Sequence, residues 1–317
     1  MVTDLLLLVL GLAGLALAAD RFVLGAAEVA ARMRVSTVVT GALIIGFGTS
    51  APELVVSTLA TLTEGSEGTS LAMGNIVGSN VANLTLVLAI PVLVVGNLSL
   101  EPGAKRQVAF SAAGVTVFAL MAGLGGPSIW KGIGLVVLAV AALVVIVSLR
   151  DHFGGVPPSD TAKGAEPWIL TVVGLLGTVA FAWLVVRSAT AIAEELGWTG
   201  GFVGFALVAV GTSLPELFTV LAAARRGETG LIIGNLLGSN LFNSLTVGAA
   251  VFLVNGATPY DAATGLADWA LLAMVVVCWG VILLMKTGKR IGKWEAIVLL
   301  SVYAGVLGGL AVTGATV

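Results

Sequence analysis

Charge is what this sequence has least of. Only 10% of its 317 residues are Asp, Glu, Lys or Arg, against 58% hydrophobic, and its mean hydropathy is +1.10. That leaves too little polar surface to cover a soluble globule of this size, so the chain reads as a membrane protein. Cysteine is nearly absent too. Cys278 stands alone inside an apolar run, which excludes an internal disulfide and leaves a small buried side chain as its reading. The single histidine, His152, lies in a polar connector beside Arg150 and Asp151. With no histidine in an apolar span, the His-Glu-x-x-His pattern of a metalloprotease is missing, and neither an enzymatic activity nor a cofactor is expected. The first residues hold Asp4 where a signal peptide has a basic cluster, and no small-residue cleavage pattern follows, so this run is expected to be a retained span. Glycine, by contrast, is abundant: 42 residues, as suits closely packed membrane helices.

A helix crosses the hydrocarbon layer in about 20 apolar residues. Sorting the chain by that length predicts ten spans: 3–31, 36–62, 68–95, 104–124, 128–149, 167–195, 199–224, 229–254, 266–286 and 292–313. The expected division is a first five-helix repeat over 1–150, a short cytoplasmic connector over 151–166, and a second five-helix repeat over 167–317. The connector carries Gly154, Gly155, Pro157 and Pro158 and is too short for a regulatory domain.

Basic residues give the orientation, because cytoplasmic loops collect them. The odd-numbered loops hold 12 of the 15, from Arg32 and Arg34 through Lys289 and Arg290. The even-numbered loops hold acids instead, such as Glu64 and Glu67, with Lys131 the one basic exception. Both termini are therefore expected to be extracytoplasmic. The same bias makes the two halves inverted repeats, since span two starts from a cytoplasmic loop and span seven from an external one.

Two motifs are written twice. Gly-Thr-Ser-Ala-Pro-Glu at 48–53 returns as Gly-Thr-Ser-Leu-Pro-Glu at 211–216, and Gly-Asn-Ile-Val-Gly-Ser-Asn at 74–80 returns as Gly-Asn-Leu-Leu-Gly-Ser-Asn at 234–240. Arg21 and Glu28 likewise match Arg187 and Glu194, residues that read as helix-end or neighbour contacts. Pro52 and Pro215 lack an N–H and crowd the preceding turn, so each predicts a bend that strips carbonyl oxygens near Gly48 and Gly211 of their donors. A freed carbonyl in hydrocarbon is costly unless something satisfies it, and a desolvated cation can. On a helix, Thr49 and Ser50 share a face with Glu53, and Thr212 and Ser213 share one with Glu216. Asn75, Ser79 and Asn83 recur every four residues, as do Asn235, Ser239 and Asn243. Asn75, Asn80, Asn235 and Asn240 are equally readable as interhelical hydrogen-bonding groups. The sum is a nest of oxygen donors suited to a hard cation such as calcium or sodium. Two intramembrane glutamates at matching positions mark a functional site rather than a packing detail.

In these motifs the chain resembles the cation/calcium antiporter superfamily, most closely the compact prokaryotic sodium/calcium exchangers, and the likeness runs over essentially its whole length. The resemblance implies an all-α membrane protein of ten transmembrane helices in two inverted five-helix repeats, with an ion cluster formed by spans two, three, seven and eight. A central calcium site would use the carboxylates of Glu53 and Glu216 and the carbonyls of Thr49 and Thr212. Flanking sodium sites would use Ser50, Ser79, Ser213 and Ser239 with the carbonyls of Gly46 and Ala209, while spans one and six slide across this core. The chain departs from many calcium-exchanging relatives at Asn83 and Asn243, where one position is an aspartate in those proteins. The expected function is exchange of sodium for calcium across the cell membrane. The alternatives are a proton-coupled cation exchanger, since a buried carboxyl can carry a proton, and more remotely a cation channel. Calcium and sodium ions and the lipid bilayer are the expected partners, with no nucleic acid or obligate protein partner implied.

Overall fold

The computed structural model describes residues 2–33, 37–99, 104–125, 127–148, 167–195, 211–256, 268–287 and 290–314. The connector expected at 151–166 and the start of span seven, with Ala209, lie outside the described residues.

The first half runs through α1 (Val2–Met33), α2 (Thr37–Thr40), a π-helical stretch (Gly41–Gly46), α3 (Phe47–Thr49), α4 (Ala51–Ala82), a second π-helical stretch (Asn83–Val87), α5 (Leu88–Val95), β1 (Asn97–Ser99), α6 (Ala104–Gly123) and α7 (Ile129–Ser148). The second half repeats the order with α8 (Pro167–Glu195), α9 (Leu214–Arg225), α10 (Thr229–Phe242), a π-helical stretch (Asn243–Val247), α11 (Gly248–Asn255), α12 (Asp268–Thr287), β2 (Arg290–Gly292) and α13 (Lys293–Gly314).

Span two carries the bend expected at Pro52, and the connection that follows it differs from the expected one. Span two is not one helix. It bends by 42° between Gly41–Thr49 and Ala51–Thr63, where Pro52 cannot donate to the preceding turn. Spans two and three, expected to be parted by a loop near residues 63–67, instead lie within the single helical element α4. That element doubles back, because Asn75 Nδ2 donates to Ser57 Oγ at 3.1 Å. Eighteen residues of straight helix would separate the two by about 27 Å. The second half makes the same reversal through a discrete turn at Gly227, whose φ of +73° suits a residue without a Cβ. Glu228 N there donates to Ala223 O at 2.9 Å, closing the end of α9.

The motif spans form the centre. In the most apolar windows of Gly68–Val95 and Thr229–Asn255, 78% and 72% of residues are buried, against 17% for α1 and for α7. The periphery is apolar all the same: Leu6, Val9 and Leu10 on α1 and Val137, Val140 and Val144 on α7 are exposed, as a lipid-facing surface requires. Trp130, Trp168 and Trp294 are exposed near the first residues of α7, α8 and α13, the level at which tryptophan sits at a membrane interface.

Glycines set the closest approaches. A Cβ on Gly25 would lie 2.5 Å from Thr171 N, and one on Gly174 would lie 2.5 Å from Phe22 N, so α1 and α8 cross at backbone contact. A Cβ on Gly238 would lie 2.5 Å from Ala42 O, and one on Gly46 would lie 2.9 Å from Asn235 O. Span two of one half thus lies directly on α10 of the other. Two further contacts join loops of equal parity. The β1–β2 pair is antiparallel with Leu98 opposite Ile291, tying the loop after span three to that before span ten. Thr69 Oγ1 donates to Asn255 Oδ1 at 3.0 Å, tying the start of span three to the end of span eight.

Candidate ion site between the repeats

Both Gly-Thr-Ser-x-Pro-Glu segments adopt one local shape. Ser50 sits at φ −86°, ψ 8° and Ser213 at φ −85°, ψ 2°, each just outside a helix whose first turn contains the proline and the glutamate. Proline is tolerated there because its missing N–H falls among the unpaired donors of a helix start. The break therefore comes before the carboxylate, which then projects from the first turn of α4 or α9.

The two carboxylates are buried, Glu53 with 1% and Glu216 with 0% of its surface exposed. Among the described residues no cationic side chain pairs with either, and neither oxygen of Glu53 meets a hydrogen-bond donor. Ser79 and Thr212 are the hydroxyl residues beside it. Glu216 is held on one oxygen only: Ser50 Oγ donates to Oε1 at 2.9 Å and Ser239 Oγ approaches it at 3.4 Å, leaving Oε2 unpartnered.

None of the four hydroxyls that share a sequence face with the glutamate of their own helix hydrogen-bonds to that glutamate. Ser50 reaches Glu216, not Glu53. Thr49 Oγ1 donates to Ile45 O at 3.0 Å and approaches Asn235 Oδ1 at 3.4 Å. Thr212 Oγ1 donates to Asn75 Oδ1 at 3.3 Å. Ser239 Oγ donates to Gly46 O at 3.1 Å, which brings that expected carbonyl into the cluster. The reason is the turn at Ser50 and Ser213: a face argument of three or four residues assumes continuous helix, and the helix stops there.

Asn83 and Asn243 each open a π-helical stretch, a local widening that is frequent at functional sites. Asn83 Nδ2 donates to Asn240 Oδ1 at 3.0 Å, whereas both polar atoms of Asn243 are buried and unpartnered. The remaining amides do interhelical work: Asn80 Nδ2 donates to Ser244 Oγ at 2.9 Å and Asn240 Nδ2 to Asn80 O at 3.1 Å. Ser213 Oγ is buried without a partner and is not hydrogen-bonded into the cluster.

Buried side-chain polar atoms are nearly always hydrogen-bonded. Here all the unpartnered ones among the described residues, apart from those of Thr58 and Ser188, belong to Glu53, Ser79, Asn80, Asn83, Ser213, Glu216 and Asn243. The stretch is mostly oxygen and carries two uncompensated negative charges, the chemistry of a hard-cation site. Sequence reasoning missed Ser57 and Thr219, which hold the cluster from behind: Asn75 Nδ2 donates to Ser57 Oγ, and Asn235 Nδ2 to Thr219 Oγ1 at 3.0 Å. They follow Glu53 by four residues and Glu216 by three, so extending the helical face one turn beyond each glutamate finds them. The paired arginines lie elsewhere, Arg187 stacking 5.2 Å from the Trp183 ring centroid.

This arrangement recurs in known proteins. The profile of the sodium/calcium exchanger protein family matches twice, over residues 3–148 and again over 166–311. The sodium/calcium exchanger MaX1 of Methanosarcina acetivorans is 28% identical over 96% of this chain and 97% of its own length. The inner membrane protein YrbG of Escherichia coli is 30% identical over 76% of this chain and 77% of its own. A solved structure of the sodium-calcium exchanger NCX_Mj, soaked with sodium and calcium, superposes with a TM-score of 0.84 at 28% identity, covering 98% of this chain and 99% of that one. The two matched sets of elements are thus the inverted five-helix repeats of a ten-span, multi-pass membrane fold. Matched over both halves by one profile, the chain belongs to the sodium/calcium exchanger protein family.

Proposed function

We propose that the protein is a secondary antiporter in which inward sodium movement drives calcium export by alternating access. The observation that carries this is the pair of buried, uncompensated carboxylates, Glu53 and Glu216, contributed by opposite repeats and flanked by hydroxyls and amides. Two negative charges balance one calcium ion, and sodium competes for the same oxygens, so neither occupant leaves without the other replacing it. The calcium ligands are the Glu53 and Glu216 carboxylates with the carbonyls of Thr49 and Thr212. Ser50, Ser79, Ser213 and Ser239, the carbonyls of Gly46 and Ala209, and the amides of Asn83 and Asn243 complete the ion cluster. Support comes from the family membership and from the likeness to exchangers described by name as acting on sodium and calcium.

The division into a first repeat over 1–150, a cytoplasmic connector over 151–166 and a second repeat over 167–317 belongs to the same proposal. So does the outward placing of both termini, which the loop charges favour. The α1/α8 pair is the moving body: it packs on itself through Gly25 and Gly174 and lies at the periphery of the motif core.

The test is calcium-45 flux in proteoliposomes with sodium, potassium, lithium and proton gradients imposed one at a time. Sodium-driven uptake supports the reading. Uptake driven by a pH jump without sodium replaces it with proton-coupled exchange, and current without counter-ion dependence replaces it with a channel.

A further inference from the structure

We propose that Asn75 and Asn235 are positioning residues for the ion site, each holding the threonine that the opposite repeat contributes to it. The proposal deepens the exchange reading and rests on it. An amide has a donor end and an acceptor end, and both asparagines use them in the same way. Asn235 Nδ2 donates to Thr219 Oγ1 at 3.0 Å within its own repeat, and Thr219 Oγ1 is itself tied to Pro215 O at 2.8 Å. Its acceptor end then faces across the interface to Thr49 Oγ1 at 3.4 Å, and to Ser239 Oγ at 3.3 Å. The mirror set is Asn75 Nδ2 to Ser57 Oγ at 3.1 Å, with Asn75 Oδ1 receiving Thr212 Oγ1 at 3.3 Å.

All six side chains of the two sets are at most 9% exposed, so water does not substitute for these partners. The donor ends are anchored by the shorter bonds and the acceptor ends reach the threonines by longer ones. Thr49 Oγ1 also has Ile45 O of its own helix as an acceptor at 3.0 Å, so Asn235 shares that hydroxyl proton and biases its rotation. Holding each threonine hydroxyl biases the rotation of the residue whose main-chain oxygen the exchange reading assigns to the cation. The crossing is reciprocal, so neither bend shifts without pulling on the other repeat, and the two half-sites are coupled through four side chains. A carboxylate in place of either amide would lose the donor end and add charge; alanine would release the threonine.

Calcium binding to the purified full-length protein is measured by titration calorimetry for Asn75→Ala, Asn235→Ala, Thr49→Val, Thr212→Val and their pairwise combinations. Each single change is expected to weaken binding about tenfold, the value of one hydrogen bond near a charged site. The crossed doubles, Asn235→Ala with Thr49→Val and Asn75→Ala with Thr212→Val, are expected to be no weaker than their weaker single. The uncrossed doubles are expected to multiply to about a hundredfold. Multiplicative crossed doubles overturn the proposal, because a general structural role would not follow the crossed pairing. Where an alanine variant fails to accumulate, the valine variants decide, since they exchange the hydroxyl for a methyl of similar size: unchanged calcium binding in either overturns the proposal, and tenfold weaker binding in both supports it. Sodium-driven uptake by the unaltered protein is measured alongside. Calcium binding without such uptake overturns the exchange reading alone, while a working exchanger with multiplicative crossed doubles overturns this inference alone.

Discussion

Replacing Glu53 by glutamine keeps the size of the side chain and removes one of two charges from the ion cluster. Glu53 has both oxygens unpartnered, whereas Glu216 has Oε1 engaged by Ser50 at 2.9 Å and only Oε2 free. Glu53 therefore has the larger share of a calcium ion to lose. Removing one partner from a buried charge pair costs about 2–5 kcal/mol, which is about thirtyfold to several thousandfold in affinity. The amide also replaces a buried, unpaired negative group with a neutral one, so the ion-free protein should be no less stable than the parent. A ligand present at 100 times its Kd stabilises by about 2.7 kcal/mol. For a chain of 317 residues that corresponds to a Tm rise of roughly 4 °C. The expected signature has three parts: an unchanged or higher Tm without calcium, loss of the calcium-induced rise, and loss of calcium-45 exchange in vesicles. Glu216→Gln should also lose exchange. A retained calcium-induced Tm rise, or near-normal exchange by both variants, would refute the assignment.

Asn243→Asp adds a third carboxylate at a buried position whose amide atoms are unpartnered. Protons and calcium then compete for one more group, so calcium titrations should show tighter binding at alkaline pH and a steeper loss on acidification. A profile identical to the parent's would put residue 243 outside the site. Gly238→Ala would drive a Cβ to 2.5 Å from Ala42 O, forcing α10 away from span two, and should cost about 1–3 kcal/mol in thermal unfolding and weaken calcium binding. Unaltered stability would mean that the crossing gives way easily. Pro52→Ala restores a donor to the preceding turn and favours a straighter span two than the present 42° bend, so exchange should fall at least about tenfold without loss of Tm. Full exchange would show that helix packing, not proline, holds the bend.

Local patterns made much of the fold legible. The apolar runs, the doubled motifs and the skewed basic residues are read within a few turns of chain, and they carry the spans, the two-halved organisation and the acidic pair. The reversal between spans two and three was legible, but not its form: the stretch expected as a loop near residues 63–67 keeps a helical hydrogen-bond pattern while the chain changes direction. The site was legible as a set of residue types, but which hydroxyl meets which carboxylate was not.

From the sequence alone follow the membrane environment, the inverted repeats and the identity of Glu53, Glu216 and their oxygen-rich neighbours, because hydropathy, periodicity and charge bias act along the chain. Only the tertiary structure decided that Ser50 serves Glu216, that Thr49 and Thr212 face the asparagines of the opposite repeat, and that one carboxylate is half engaged while the other is free. Those pairings depend on how closely and at what rotation two helices cross. Here backbone contact at Gly46 and Gly238 sets that crossing, between segments far apart in the chain.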